Sequence, residues 1–469
     1  MTSNTQQYRT ERDTMGEMQV PADALYAAQT QRAVENFPVS GITLPSSLIA
    51  AIGAIKSAAA RTNADLGLLD QDIAEAVIAA ADRVAANELD GEFPIDIFQT
   101  GSGTSSNMNA NEVIATLASR ALGKPVSPND HVNMGQSSND TFPGALHVAA
   151  VVGIEQNLIP ALGRLQDALA AKSEQFDGVV KIGRTHLMDA VPIRLGQEFS
   201  GYARQVELGV ARLQATLVGL RELAIGGTAV GTGLNTHRDF GSIVAGHLST
   251  RYGTEFTEAV NHFEAQASQD AYVFAAGGVT SVASSLIKIA NDIRLLASGP
   301  QAGLGEIILP AVQPGSSIMP GKVNPVISES VIQLGIHVTG SCQAVVGGGQ
   351  WGQLDLNVML PMMAHNLLGS IRMLANACDM FVGKCIVGIE ANVERCASYI
   401  EGSISMATAL NPLIGYAKSA EIAKRSYATG TTVRELAYEM SGLTREQVDE
   451  ALDPYSQTVA GTITGGAGG

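Results

Sequence analysis

The sequence predicts a mainly α-helical protein of three domains, the middle one a bundle of five long helices. Three observations carry that prediction. No proline interrupts Gln266 to Ser298, and Val279, Val282, Leu286, Ile289, Ile293 and Leu296 step by three and four along it. Apolar residues make up 45% of the chain while charged ones make up 16%, well under the ~25% of an average globular protein. The length of 469 residues accommodates about three domains at ~150 residues each.

Residues 1–135 read as an N-terminal, mostly helical domain, with helices over Pro21–Glu35, Ser46–Asp65 and Gln71–Leu89 joined by loops. The opening MTSNTQQYRTERDTMG has no apolar core of the kind a secretory signal needs. No run approaches the ~18 apolar residues that cross a bilayer. The expectation is a soluble, cytoplasmic protein without a membrane partner.

Residues 136–390 hold the long helices: Pro143–Phe176, Leu195–Leu220, Gln266–Ser298, Pro325–Val346 and Leu356–Val387. The 3-4 seam of the third predicts a shallow crossing angle with its neighbours. The second repeats it with Leu195, Phe199, Tyr202, Val206, Gly209 and Leu213, where Gly209 lets two helices approach closely. Such a bundle carries more apolar side chains than its own interior can hold, so a homo-oligomer is expected. Residues 391–469 read as a small C-terminal helical domain with runs at Gly415–Tyr427 and Thr432–Met440, ending in TITGGAGG, whose composition is that of a disordered tail.

Several function classes are disfavoured. Lys plus Arg is 29 and Asp plus Glu is 45, so 29 − 45 = −16, and no broad positive face is left for nucleic acid. Cys342, Cys378, Cys385 and Cys396 form no C-x-x-C pair and read as buried, reduced thiols. The eight histidines include no H-E-x-x-H, so no metal site is expected. The glycine-rich Ile225–Asn235 lacks G-x-G-x-x-G and a βαβ context, so no cofactor is expected either.

Three polar segments break this apolar chain, each ahead of an expected helix: Gly101–Glu112, Gly135–Gly144 and Pro314–Pro325. Pro143 and Pro325 suit a first helical turn. A helix start offers unpaired N–H groups and the positive end of the helix dipole. Serine, threonine and asparagine add neutral donors, which makes an anion site with little formal charge. Lys322 is the evident cation. Any one such segment also reads as an ordinary N-cap; three together exceed what capping requires. In a fourth segment, Gly183–Pro192, His186 stands beside Arg184, Thr185 and Asp189 between two bundle helices. It is either a structural histidine or a group placed to move protons near neutral pH.

Eleven consecutive residues, Gly315–Pro325 (GSSIMPGKVNP), resemble the signature loop of the fumarase/aspartase superfamily, and TGSGTSSNMN, SSNDTFP, GRTHLMDAVP and GTAVGTGLN resemble it in the same order. The resemblance covers the chain to about residue 400 and is closest to the class II, iron-independent fumarases. It implies three mostly helical domains, with the bundles of four chains forming a twenty-helix core. It further implies a homotetramer whose active sites each draw on three subunits. Related aspartases carry Thr-Gln-Leu-Gln-Asp where this chain has Thr185-His186-Leu187-Met188-Asp189. An imidazole can protonate a leaving hydroxyl and an amide cannot, so hydration of fumarate to malate is favoured over expulsion of an amine, and both over a non-catalytic helical scaffold.

By the same resemblance Ser316 is the base for the C3 proton. Lys322 and Asn324 bind the carboxylate on which charge grows, and His186, oriented by Glu329, serves the hydroxyl. Ser102, Gly103, Thr104, Ser137, Ser138, Asn139, Thr185 and Ser317 bind the small dicarboxylate substrate. A second anion site is implied at Ser127, Pro128, Asn129 and Asp130, with serine where the family often has histidine.

Overall fold

The structure, a computed structural model, describes residues 7–461; the tail at 462–469 lies outside the described residues. The chain divides into two compact units. The first takes the chain up to Pro160, Gly209–Ser284 and Leu334–Asn376; the second takes Ala161–Leu208, Ser285–Gln333 and the chain from Ala377 onward.

The first unit opens on strands, where the sequence suggested only helices and loops. β1 (Tyr8–Asp13) pairs antiparallel with β2 (Gly16–Pro21). The next helix, α1 (Ala28–Asn36), begins well after Pro21. The reason is tertiary. Arg9 donates to the carbonyls of Pro21, Ala22, Ala24 and Tyr26, which holds that stretch extended. The buried Glu112 carboxylate accepts from the N–H groups of Ala27, Gln29 and Thr30, fixing where α1 starts. α2 (Ser46–Asp65) has the expected bounds, and α3 (Gln71–Ala85) stops one turn short of its expected end. α4 (Thr104–Leu122) includes most of the first polar segment, so its asparagines form the opening turns rather than a loop ahead of the helix.

Five long helical stretches are present as expected. The first runs unbroken from Ser138 to Gln175 as α5 (Ser138–Val152), a π-helical turn at Gly153–Leu158 and α6 (Ile159–Gln175). It starts a turn before Pro143, because Ser137 and Asp140 form a capping box there. Pro143 therefore lies inside the helix, near enough to its start that only the bond to the Asn139 carbonyl is forfeited. After β3 (Val180–Thr185) and β4 (Met188–Arg194) come α7 (Leu195–Leu220), α8 (Phe240–Tyr252), α9 (His262–Ala267), α10 (Asp270–Leu296), α11 (Val326–Gly349) and α12 (Leu360–Lys384).

The α10 seam is buried along its whole length, from Val279 to Leu296. In the first unit a Cβ on Gly209 would lie 3.3 Å from Val282 Cγ2, so α7 and α10 approach as closely as the glycine suggested. At the π turn a Cβ on Gly153 would lie 3.2 Å from Ile371 Cγ2, which seats α5 on α12. In the second unit Tyr202 of α7 donates to Asp292 of α10 at 3.0 Å.

Two of these stretches, Ser138–Gln175 and Asp270–Leu296, have the length and mean hydropathy (1.4 and 1.5) of a membrane span, against the expectation that none would. Alanine, valine and leucine outweigh the polar residues that interrupt each run. Within the chain 61% and 44% of those windows are buried, as in core helices of a bundle.

The second unit also holds short helices, among them Val393–Gly402, Tyr416–Thr429, Val433–Met440 and Arg445–Ala451. Their core includes Ile400, Met406, Leu410, Ile422, Leu436 and Val448, and Ile182 of β3 packs among them. All four cysteines are free and buried, as expected. Burial pushes the Cys378 and Cys396 thiols up to about 12 and that of Cys385 to about 11.

Candidate active site

Two of the sequence-marked segments meet in the first unit. Gly103 caps α4 with φ +75°, a left-handed conformation that glycine adopts without strain. A Cβ there would lie 2.2 Å from the Phe142 ring of α5, so glycine is also needed for space. The Ser102 and Thr104 hydroxyls are 2.8 Å apart. Across from them Ser137 caps α5, and its N–H donates to Asp140 Oδ1 at 2.9 Å. Asn139 donates to the Ala229 carbonyl at 2.8 Å. Asn107, one turn into α4, donates to Ser138 Oγ at 3.0 Å and ties the two segments together. The arrangement places two helix starts and several hydroxyls side by side, a site for a carboxylate.

Asp140 is fully buried and also accepts from the N–H groups of Gly226 and Thr228 in the glycine-rich loop. Burial raises its carboxyl to about 6, opposed by those N–H groups and by Lys56. Lys56 on α2 is itself fully buried, which pulls its ammonium down to about 7 against the attraction of Asp140. Sequence reasoning missed both roles. The S-x-x-D spacing of Ser137 and Asp140 was a readable capping signal; nothing local marked Lys56.

The second unit carries the other segments. Gly183–Pro192 lies between two long helices, as expected, and forms a β-hairpin, with Thr185 paired to Met188. Its two-residue turn is His186-Leu187, at φ +56° and +63°. Both central residues of such a turn are normally asparagine, aspartate or glycine. Holding His186 and Leu187 there is a strained arrangement of the kind found at functional sites, and it leaves His186 and Thr185 exposed. Just ahead of the turn-closing pair, Arg184 makes a bidentate pair with the buried Glu306 at 2.8 and 2.9 Å, and Lys181, nearer the open end of the hairpin, lies 3.3 Å from the same carboxylate.

In the signature loop, the Ser316 Oγ accepts from the N–H groups of Ile318 at 3.2 Å and Met319 at 3.0 Å. Two amide dipoles aimed at one hydroxyl oxygen favour its ionised form. Gly315 donates to the Lys322 carbonyl at 2.8 Å, and Asn324 Nδ2 donates to the Gly315 carbonyl at 2.7 Å, which closes the loop at its neck. Ser317 and Lys322 are exposed, and among the described residues Lys322 makes no ion pair. Glu329 lies in the first turn of α11, where its N–H donates to the Pro325 carbonyl. Among the described residues of one chain, His186 and Glu329 form neither a hydrogen bond nor an ion pair.

Ser127 caps a π-helical turn at Pro128–Val132 and shares its hydroxyl with Asp130, while its N–H donates to His131 Nδ1 at 3.0 Å. Pro128 and Asn129 line a cavity of about 720 Å³ together with Arg12, Glu112 and Arg120.

Comparison with known proteins identifies the family. A family model described as a lyase matches residues 16–340, and one described as the fumarase C C-terminus matches residues 406–458. The chain belongs to this lyase family. Its relatives include class II fumarate hydratases: that of Corynebacterium efficiens is 55% identical over 454 residues, 96% of each chain. Among solved structures, the class II fumarase of Schistosoma mansoni superposes with a TM-score of 0.94 at 37% identity, covering 97% of this chain and all of that one. A fumarate lyase:delta crystallin from Brucella melitensis gives 0.92 at 46% identity, with the same coverage.

Proposed function

We propose that the chain is a fumarate hydratase that interconverts fumarate and (S)-malate, as in the tricarboxylic acid cycle, without a cofactor. The observation that carries the reading is the Ser316 hydroxyl under two N–H donors within the family's loop. In the malate direction the ionised Ser316 oxygen takes a proton from C3. The electron pair of that C–H bond moves onto the adjacent carboxylate, giving a doubly negative aci-form. Lys322 and Asn324 meet that carboxylate, where binding counts most because the charge grows there. The pair then returns to form the C2–C3 double bond. The C2 hydroxyl departs as water with a proton from His186, which Glu329 orients. Ser102, Gly103, Thr104, Ser137, Ser138, Asn139, Thr185 and Ser317 hold the rest of the diacid, and Ser127, Pro128, Asn129 and Asp130 form a second anion site.

This reading includes a cytoplasmic homotetramer of three-domain chains, with each site assembled from three subunits. Val218, Phe274 and Ile336 lie on long helices of the first unit and are 71%, 58% and 62% exposed in the single chain. Exposed apolar side chains of that size are what burial against other copies would cover.

Offering L-malate and L-aspartate separately tests the reaction. New ultraviolet absorbance of fumarate from malate alone supports it. Absorbance from aspartate alone overturns it in favour of an ammonia lyase, and turnover of neither acid by a folded oligomer overturns it in favour of a scaffold.

A further inference from the structure

Beneath the paired helix starts of the first unit lies a polar cluster that the reaction scheme does not use. The Lys56 Nζ donates to Asn133 Oδ1 and to Gln136 Oε1, both at 2.9 Å. Asn133 Oδ1 also accepts from Asn107 Nδ2 and Asn111 Nδ2, each at 3.2 Å. Asn107 Nδ2 in turn donates to Ser138 Oγ. Lys56 and Asn111 are fully buried, and Asn107 is 1% exposed.

The directions of these bonds follow from the two fixed partners of Asn133: the Lys56 amine on its oxygen, and the Gln136 backbone carbonyl, which accepts from its Nδ2 at 3.2 Å. An amide side chain can be turned either way round, with its oxygen and nitrogen exchanged, and a hydroxyl can donate or accept. A lysine ammonium, or a backbone carbonyl, leaves no such choice. Because Lys56 donates to one side of the amide and the Gln136 carbonyl accepts from the other, Asn133 turns its oxygen inward. Asn107 must then face that oxygen with its NH2 group, whose second hydrogen goes to Ser138. Ser138 is left as an acceptor on its inner side, and its own hydrogen is free to point away from the cluster. The ammonium form of Lys56 has donors only, so in that form it can meet Asn133 solely through the amide oxygen.

We propose that Lys56 is a positioning residue: together with the Gln136 carbonyl, and through Asn133 and Asn107, it sets the direction of the hydrogen-bond chain so that Ser138 presents its O–H as a donor to a substrate carboxylate. The proposal rests on the reading of Ser138 as a substrate-binding residue of a fumarate hydratase. Its cost-free alternative, a cluster that serves only packing, would make the sense of each bond irrelevant.

Steady-state hydration of fumarate separates the two. Asn107→Asp keeps the shape of the side chain but replaces the donor by an acceptor, which draws the Ser138 hydrogen inward. Its KM for fumarate should rise at least about tenfold, the worth of one hydrogen bond to a charged group, with kcat changed much less. Lys56→Met removes one of the two groups that orient Asn133, the Gln136 carbonyl remaining, and should raise KM in the same direction but by less. Asn133→Asp gives up the bond to the Gln136 carbonyl but keeps acceptors facing both Lys56 and Asn107, and its KM should stay within a few-fold of the parent. Should Lys56→Met fail to fold, the two aspartate variants still decide. An active parent protein with Asn107→Asp at parental KM, or with Asn133→Asp as impaired as Asn107→Asp, overturns the proposal. A parent protein that does not hydrate fumarate instead overturns the reading beneath it.

Discussion

Asn324 donates its side-chain N–H to the Gly315 carbonyl at 2.7 Å, joining the two ends of the loop that carries Ser316 and Lys322. The bond fixes the neck of the loop, and the backbone pair between Gly315 and Lys322 runs beside it. Asn324→Ala removes the side-chain bond while leaving that backbone pair. A hydrogen bond of this kind contributes about 1 kcal/mol, spread over a loop on the surface. Turnover of malate should fall at least about tenfold, while the thermal midpoint moves little. A midpoint lowered as strongly as the activity would show that the residue serves the fold instead.

Ser316→Ala should lower kcat by about 10²–10³ or more, the usual scale for removing a group that acts in the transition state. The two N–H groups that now point at its Oγ face solvent in the variant, so denaturant midpoints should match the parent. Turnover within a few-fold of the parent would exclude Ser316 as the base.

His186→Asn is the informative change at the hairpin turn. Asparagine tolerates the left-handed φ of +56° as well as any residue but glycine, so the hairpin is retained while the proton-transferring ring is lost. A fall in kcat of about 10²–10⁴ is expected for loss of a general acid. One limb of the pH profile of turnover should disappear with it, and a profile unchanged in shape would count against a proton role.

Gly103→Ala places a methyl group against the Phe142 ring at a residue whose φ is +75°. Left-handed backbone costs about 1–2 kcal/mol for a residue with a Cβ, and overpacking adds about 1–3 kcal/mol. The guanidinium midpoint should drop measurably, and Gly103→Ala with Phe142→Leu should recover part of the loss. No change in midpoint would mean that the α4 cap relaxes freely.

Asp140 gives stability a pH dependence of defined sign. Burial raises its carboxyl from 3.8 to about 6 in the folded chain, so between those values the folded state binds the extra proton and the unfolded state does not. Its stabilising contribution is complete below that window and is lost as pH rises through about 6. Relative to Asp140→Asn, which does not titrate, the parent should lose stability from pH 4 to pH 6 and run parallel above it. Unfolding midpoints of the two proteins across that range make the comparison; parallel curves throughout would refute the shift.

The long helices were legible because their signal is periodic and local. The 3-4 steps of Val279 to Leu296 and the bounds of Leu195–Leu220 and Ser46–Asp65 correspond to buried faces and observed helix ends. What stayed hidden depended on residues far apart in sequence. Arg9 and Glu112 decide where α1 begins, and neither lies in it. The His186 hairpin breaks the usual turn chemistry, so local rules point away from it. The buried asparagines of α4 look like loop residues until their partners, Glu92, Asn133 and Ser138, are seen. The signature loop was recognisable by family pattern, yet the N–H groups over Ser316 follow from its three-dimensional course.

The burial of all four native sulfhydryls has a practical consequence for anyone wishing to watch this molecule work. Maleimide or nitroxide reagents react with accessible thiolates, so the parent chain offers them almost nothing to attack. A single engineered cysteine at exposed Val323 or Met188 would therefore carry a fluorophore or spin label without background and without first stripping the native set.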